Sequence, residues 1–208
     1  AHSSIRFGIG RFNTMEEIQV WGFPTFKYKF ENQSKIRKEI LQNANKQTLD
    51  DMSEDWNASC KSTAASREII TMPNFHKELK NIIYEKFSKD INIPSSKMTL
   101  KGCSNVSCTE ECPDYWINVY TKNDHQDVHY HMNEGDKTPL FSFAYFVKYD
   151  PEKDAQFYFY NPSPAPNMYE EFTGIRPAFK ERMKLDISEG EIIIFPPFML
   201  HGVDKHLS

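Results

Sequence analysis

The apolar residues of this chain change rhythm at Pro94, and that change constrains the fold more than any single motif. Two segments before it repeat apolar residues at helical spacing. In the first, Ile36, Ile40, Leu41 and Ala44 lie on one face, with Asn32 or Ser34 as the cap. In the second, Phe75, Leu79, Ile82, Ile83 and Phe87 follow Pro73-Asn74, and Pro94 ends the segment. Beyond Pro94 the pattern predicts strands at 98–101, 115–120, 127–131, 140–149, 156–160, 184–187 and 191–195, divided by turn residues. Aromatic and β-branched residues over 18–30, interrupted by Gly22 and Pro24, predict two short strands or one bent strand ahead of the helices. Helices first and a run of short strands afterwards imply an α+β fold, mainly β: an antiparallel sandwich or barrel braced by N-terminal helices.

A chain of 208 residues, 39% of them hydrophobic, can bury a core and fits one domain better than two. Residues 1–14 lack periodicity and precede Met15, so they are expected to be a leader or an added segment. Residues 15–208 are expected to form one domain, with helical support over 31–97 and the β core over 98–208. The polar stretch 45–67 contains Trp56 and Cys60 as expected anchors, and Pro162, Pro164 and Pro166 mark a loop that is a candidate lid. A mean hydropathy of -0.65 and no apolar run of membrane-spanning length argue for a soluble protein without a membrane partner. The net charge of -4, with Lys and Arg dispersed, leaves no electrostatic footprint for a nucleic-acid backbone. Phe157-Tyr158-Phe159-Tyr160, with no basic groove beside it, reads as sheet core rather than a base-stacking platform.

Four cysteines without a signal-peptide pattern suggest reduced thiols and a cytoplasmic location, the host cytoplasm if the chain is phage-encoded. Cys103, Cys108 and Cys112 do not follow a structural-zinc spacing, although Cys60 would make a fourth ligand if folding brought it near. Locally packed thiols are the plainer expectation.

The candidate chemistry lies in three imidazoles. His129 and His131 are two residues apart, so on an extended strand both rings point to one face. His201, in Met199-Leu200-His201-Gly202-Val203, would join them from a distant strand. Two ligands on one strand and a remote third, with coordination positions left open, form a facial metal site of the kind that activates oxygen or water. His125, Asp124, Asp127, Glu134 and Asp136 lie nearby in sequence, and the bland alternative is a polar hairpin facing water. Imidazole ligation alone suits Fe(II), Zn, Cu or Ni, and no metalloprotease-like His-Glu-x-x-His helix is present.

These segments resemble a known family. Tyr120-Thr121-Lys122-Asn123-Asp124, Gln126-Asp127-Val128-His129-Tyr130-His131 and Leu140-Phe141-Ser142-Phe143-Ala144-Tyr145-Phe146 are similar to the opening of the double-stranded β-helix, a jelly-roll or cupin-like core, of 2-oxoglutarate and Fe(II)-dependent oxygenases. Glu189-Gly190-Glu191-Ile192-Ile193-Ile194-Phe195-Pro196-Pro197 and Leu200-His201-Gly202-Val203 resemble that family's last core strands. Upstream, residues 56–63 and the helix over 74–87 are similar to a phage and bacterial branch of it, so the likeness covers most of 18–204. The resemblance implies Fe(II), 2-oxoglutarate and O2 as cofactor and cosubstrates, with hydroxylation of an unidentified substrate and release of succinate and CO2.

By the resemblance, His129 and His201 are iron ligands, and His131 falls where the family places a carboxylate. Glu134 or Asp136 stands as the alternative third ligand, though neither has the two-residue offset. The family holds the far carboxylate of 2-oxoglutarate with a basic side chain, usually an arginine shortly after the last histidine. No arginine follows Arg182, so the clamp is expected beyond residue 208 or from Lys205, Lys148 or Arg176. Asn118 and Tyr120, on one face of a strand, are expected to hydrogen-bond the cosubstrate, with ordinary strand contacts as the alternative.

Two other function classes stay open at this point. A cupin-like dioxygenase with three histidines and no 2-oxoglutarate is favoured by the neutral triad and the missing arginine. A non-enzymatic β-sandwich binding module would leave the histidines as surface residues and bind no stoichiometric metal. The substrate is expected to be a small molecule or a protein side chain, and an exposed β edge would serve a homodimer.

Overall fold

The structure, a computed structural model of the chain, describes residues 16–20, 22–46, 50–51, 58–66, 71–97, 116–132, 140–161 and 181–207. In chain order its first elements are β1 (Glu16–Val20), β2 (Phe23–Lys29), α1 (Gln33–Lys46), β3 (Asp50–Asp51), β4 (Lys61–Ser62) and α2 (Thr63–Ser66). Then comes α3 (Pro73–Asn81), prolonged by a π-helical segment (Ile82–Phe87) and a last α turn (Ser88–Asp90). The strands β5 (Asn118–Val119), β6 (Gln126–His129), β7 (Ser142–Tyr145), β8 (Phe157–Tyr160), β9 (Arg182–Lys184), β10 (Glu191–Phe195) and β11 (His201–Val203) follow. As predicted, strands over 16–29 precede the helices and most strands follow them, and the fold is α+β with β dominant.

Among the described residues there are two four-stranded antiparallel sheets, one in the order β1-β2-β10-β7 and the other β6-β11-β8-β9; β3, β4 and β5 form a third, small sheet. From β6 to β11 the chain passes back and forth between the two large sheets. Strand β10 explains why they stack. Successive side chains of a strand point to opposite faces, so Ile192 and Ile194 join Phe26, Tyr28 and Phe30 under the helices, while Ile193 and Phe195 join Val20, Phe157, Phe159 and Met199 between the sheets. A strand covered on both sides has no polar face, which is why 191–195 reads as one apolar run.

The helices lie on the outer face of the first sheet through Ile36 and Ile40 of α1 and Phe75, Leu79, Ile82, Ile83 and Phe87 of α3 and its continuation. Leu41 departs from its predicted place: it is exposed, because the buried stripe of α1 narrows to the i, i+4, i+8 line of Ile36, Ile40 and Ala44. Cys60 is fully buried, as expected of an anchor. The described part of 45–67 is more ordered than its polar pattern suggests, since β3, β4 and α2 lie in it. Strand β6 starts at Gln126 and stops at His129, and β9 lies ahead of the strand predicted at 184–187. Trp56, the strand predicted at 98–101, Cys103, Cys108, Cys112 and the loop prolines fall outside the described residues. Among the described residues no helix is long and apolar enough to cross a membrane.

Candidate metal centre

Strands β6 and β11 are antiparallel neighbours, and their register sets His129 directly opposite His201. Side chains facing each other across such a pair are within contact reach, and the two ring centroids are 4.2 Å apart. His131 reaches the same point by another route. It lies past the end of β6, so strand alternation does not aim it; its backbone N–H donates to Pro197 O at 2.8 Å, tying it to the turn that leads into β11. Its ring centroid is then 5.2 Å from that of His129 and 4.7 Å from that of His201. One ligand nitrogen from each of the three lies within 4.8 Å of the others. Bonds of about 2 Å from imidazole to a transition metal put such nitrogens about 3 Å apart, so the rings would draw together around an ion.

The nitrogens are presented in the form that binds metal. His201 Nδ1 lies 2.8 Å from Met199 O and His129 Nδ1 lies 3.0 Å from Asp127 O, so each Nδ1–H donates to a carbonyl and leaves Nε2 with its lone pair. Burial, followed by the neighbouring imidazoles, holds His201 well below the usual histidine range. Burial and then His129 push His131 down to about 4, and burial also lowers His129. Three rings that stay uncharged at neutral pH, converge on one point and have no carboxylate of the described residues among them fit a divalent ion held by neutral nitrogens.

Water is kept from the inner side by aromatic rings. Phe157 stacks on His201 at 5.5 Å, while Phe195 and Phe159 meet it edge-on at 4.9 and 6.3 Å. On another side Trp116 meets His131 edge-on at 5.8 Å.

The predicted cosubstrate residues separate. Tyr120 O–H donates to Gln126 Oε1 at 2.8 Å, and Gln126 Nε2 is 3.4 Å from His129 Nε2, so Tyr120 is one residue removed from the metal-facing nitrogen. Asn118 is hydrogen-bonded to Tyr120, and its Oδ1 accepts from Ser62 Oγ at 2.6 Å. Lys148 stands apart. The bonds Phe146 N–H to Glu191 O and Gly190 N–H to Phe146 O fix its turn at the Glu191 end of β10, opposite the Phe195 end that touches His201. Lys205 is exposed beyond β11, and Glu134, Asp136 and Arg176 lie outside the described residues. His125 is engaged elsewhere, with Ser59 Oγ at 3.0 Å. Gln126 is the site residue that sequence reasoning missed. Three positions from His129, it belongs to the opposite face of a regular strand, and only its bond to Tyr120 reveals its direction.

Residues 114–208 match a family model described as "Putative 2OG-Fe(II) oxygenase", 2OG being 2-oxoglutarate. The matched span contains the three imidazoles together with Asn118, Tyr120 and Gln126. No curated protein matches the chain.

Proposed function

We propose that this chain is a 2-oxoglutarate and Fe(II)-dependent hydroxylase whose iron is held by His129, His131 and His201, a reading supported by the likeness of residues 114–208 to that family. The convergence of those three neutral nitrogens across the β6–β11 pair carries the reading. The alternation of the chain between two stacked antiparallel sheets supports a double-stranded β-helix as its core.

Iron bound here supplies the coupling of O2 reduction to oxidative decarboxylation of 2-oxoglutarate, yielding succinate and CO2 with hydroxylation of a C–H bond. The protein's own groups do the rest. Met199 O and Asp127 O orient His201 and His129 so that their Nε2 atoms face one point. Phe157, Phe159 and Phe195 exclude water behind His201. Tyr120, with Asn118 behind it, holds the Gln126 side chain beside His129, and a small molecule or a protein side chain is received on the Trp116 side of His131. The reaction belongs in the cytoplasm, without a membrane or nucleic-acid partner.

His131 in place of a carboxylate favours a second reading, a three-histidine dioxygenase that does not use 2-oxoglutarate. Anaerobically iron-loaded protein separates the two. Under O2 with 2-oxoglutarate, the proposed hydroxylase forms succinate in step with O2 uptake. Intact iron binding with no succinate contradicts it, and O2 uptake on candidate substrates without 2-oxoglutarate selects the second reading.

A further inference from the structure

We propose that Gln126 is a positioning residue with two partners in turn: its side-chain amide caps the metal-facing nitrogen of His129 while the site is metal-free, and donates to the anionic cosubstrate once metal is bound. This rests on the Fe(II) and 2-oxoglutarate reading of the same site.

The orientation of the amide is fixed at its other end. Tyr120 O–H donates to Gln126 Oε1 at 2.8 Å, and Tyr120 is itself hydrogen-bonded to Asn118 and Cys60. With the carbonyl end occupied, the N–H end faces His129, where Nε2 is 3.4 Å away and carries the lone pair because Nδ1 lies 3.0 Å from Asp127 O. The Gln126 side chain is almost fully buried, so water is a poor substitute partner.

An ion that takes the His129 lone pair removes the acceptor of this amide, while Tyr120 keeps the amide in place. A buried donor left without an acceptor is unfavourable, and the next available acceptor is an oxygen of an anion bound beside His129. A neutral amide suits this position better than a cation, since it donates to a carboxylate without repelling a divalent ion. Gln126 thus opposes metal binding slightly and favours cosubstrate binding, two effects of opposite sign from one side chain.

The test uses the full chain, with Gln126→Leu and Tyr120→Phe compared against wild type. Anaerobic Fe(II) titration is read first without 2-oxoglutarate, then with it through the visible band of the chelate. Gln126→Leu is expected to bind Fe(II) about two- to fivefold more tightly and 2-oxoglutarate roughly ten- to a hundredfold more weakly, the range for losing a hydrogen bond to a charged group. Tyr120→Phe, which frees the amide to turn, is expected to shift both in the same directions by less. A Gln126→Leu protein that weakens both ligands together, or leaves 2-oxoglutarate binding unchanged, overturns the inference. Wild-type protein that binds Fe(II) but gives no band with 2-oxoglutarate overturns the underlying functional reading instead.

Discussion

The two large sheets use burial for opposite ends. In β2-β10-β7 the cross-strand residues beneath the helices are Ile192, Ile194, Phe26, Tyr28 and Tyr145, side chains whose removal from water stabilises the fold and does nothing else. In β6-β11-β8 a cross-strand pair of the same geometry is His129 and His201, and burial there works against stability, since an imidazole that ionises freely in water is held neutral among Phe157, Phe159 and Phe195. Burial closes the first sheet and, in the second, holds imidazoles in the neutral form that can take a metal ion. Residues of both sheets pack in one cluster, so the candidate site depends on the first sheet for its rigidity.

The sharpest way to break this comparison is to delete ligands from the second sheet. The double replacement His129→Ala and His201→Ala is expected to abolish stoichiometric Fe(II) binding, an effect beyond the roughly ten- to hundredfold typical of supporting residues. Circular dichroism is expected to report the fold retained. Loss of the fold along with the metal would mean that the imidazoles are structural.

Core truncations sharpen it further. Ile192→Ala, on the helix side of β10, is expected to cost about 2–5 kcal/mol in urea unfolding with Fe(II) affinity unchanged. Phe195→Ala is expected to cost about 3–5 kcal/mol and also to weaken Fe(II) binding, because Phe195 touches both His201 and His131. Equal effects on the metal from both variants would contradict the division of labour.

The sheets are also expected to fail at opposite ends of the pH scale. His131 is pushed down to about 4, so below the ordinary value of about 6.5 the unfolded chain takes up a proton that the folded chain refuses. Stability of the metal-free protein is therefore complete above that value and declines as pH falls towards 4. Tyr145, raised to about 12 by burial and then by Glu189 and Glu78, keeps its proton where the unfolded chain loses it, so its contribution declines as pH rises from about 10 to 12. Thermal melts of His131→Gln and Tyr145→Phe are expected to flatten the acid and alkaline limbs respectively. A swapped or unchanged pair of limbs would refute the assignment.

How far the sequence carried the reading follows from the same contrast. Elements stabilised by a periodic apolar face were legible: α1 from Ile36, Ile40 and Ala44, α3 and its continuation from Phe75 to Phe87, β10 from its isoleucines. The convergence of the imidazoles was legible as residue types, two close in sequence and one remote. Its construction was not. His131 is aimed by Pro197 across a turn rather than by strand alternation, and Gln126 by a hydroxyl six residues back. Lys148, a plausible cation by sequence distance, is carried to the other end of the sheet by the length of β7 and its turn. Positions fixed by one tertiary hydrogen bond leave no period in the chain.

The smallest expected effects come from one methyl group placed in each sheet. At Gly190, where φ is +82°, a Cβ would meet Gln33 Cδ at 2.6 Å, and Gly190→Ala is expected to cost about 1–3 kcal/mol with Fe(II) affinity unaltered. At Gly202 a Cβ would meet Tyr158 Oη at 2.7 Å and Gln126 O at 2.8 Å, forcing β11 from β6. Gly202→Ala is expected to cost a similar amount and to weaken Fe(II) binding as well. Identical metal titrations for the two variants would show that the β6–β11 approach does not set the site.

The most direct measurement is anaerobic titration of metal-free wild-type protein with Fe(II), followed by 2-oxoglutarate, while recording the visible spectrum. One equivalent of Fe(II) bound, with a charge-transfer band that requires both additions and is absent from the His129→Ala and His201→Ala protein, is the predicted result. Failure to bind Fe(II) stoichiometrically would contradict the metal centre itself and leave a β-sandwich whose buried histidines serve packing alone.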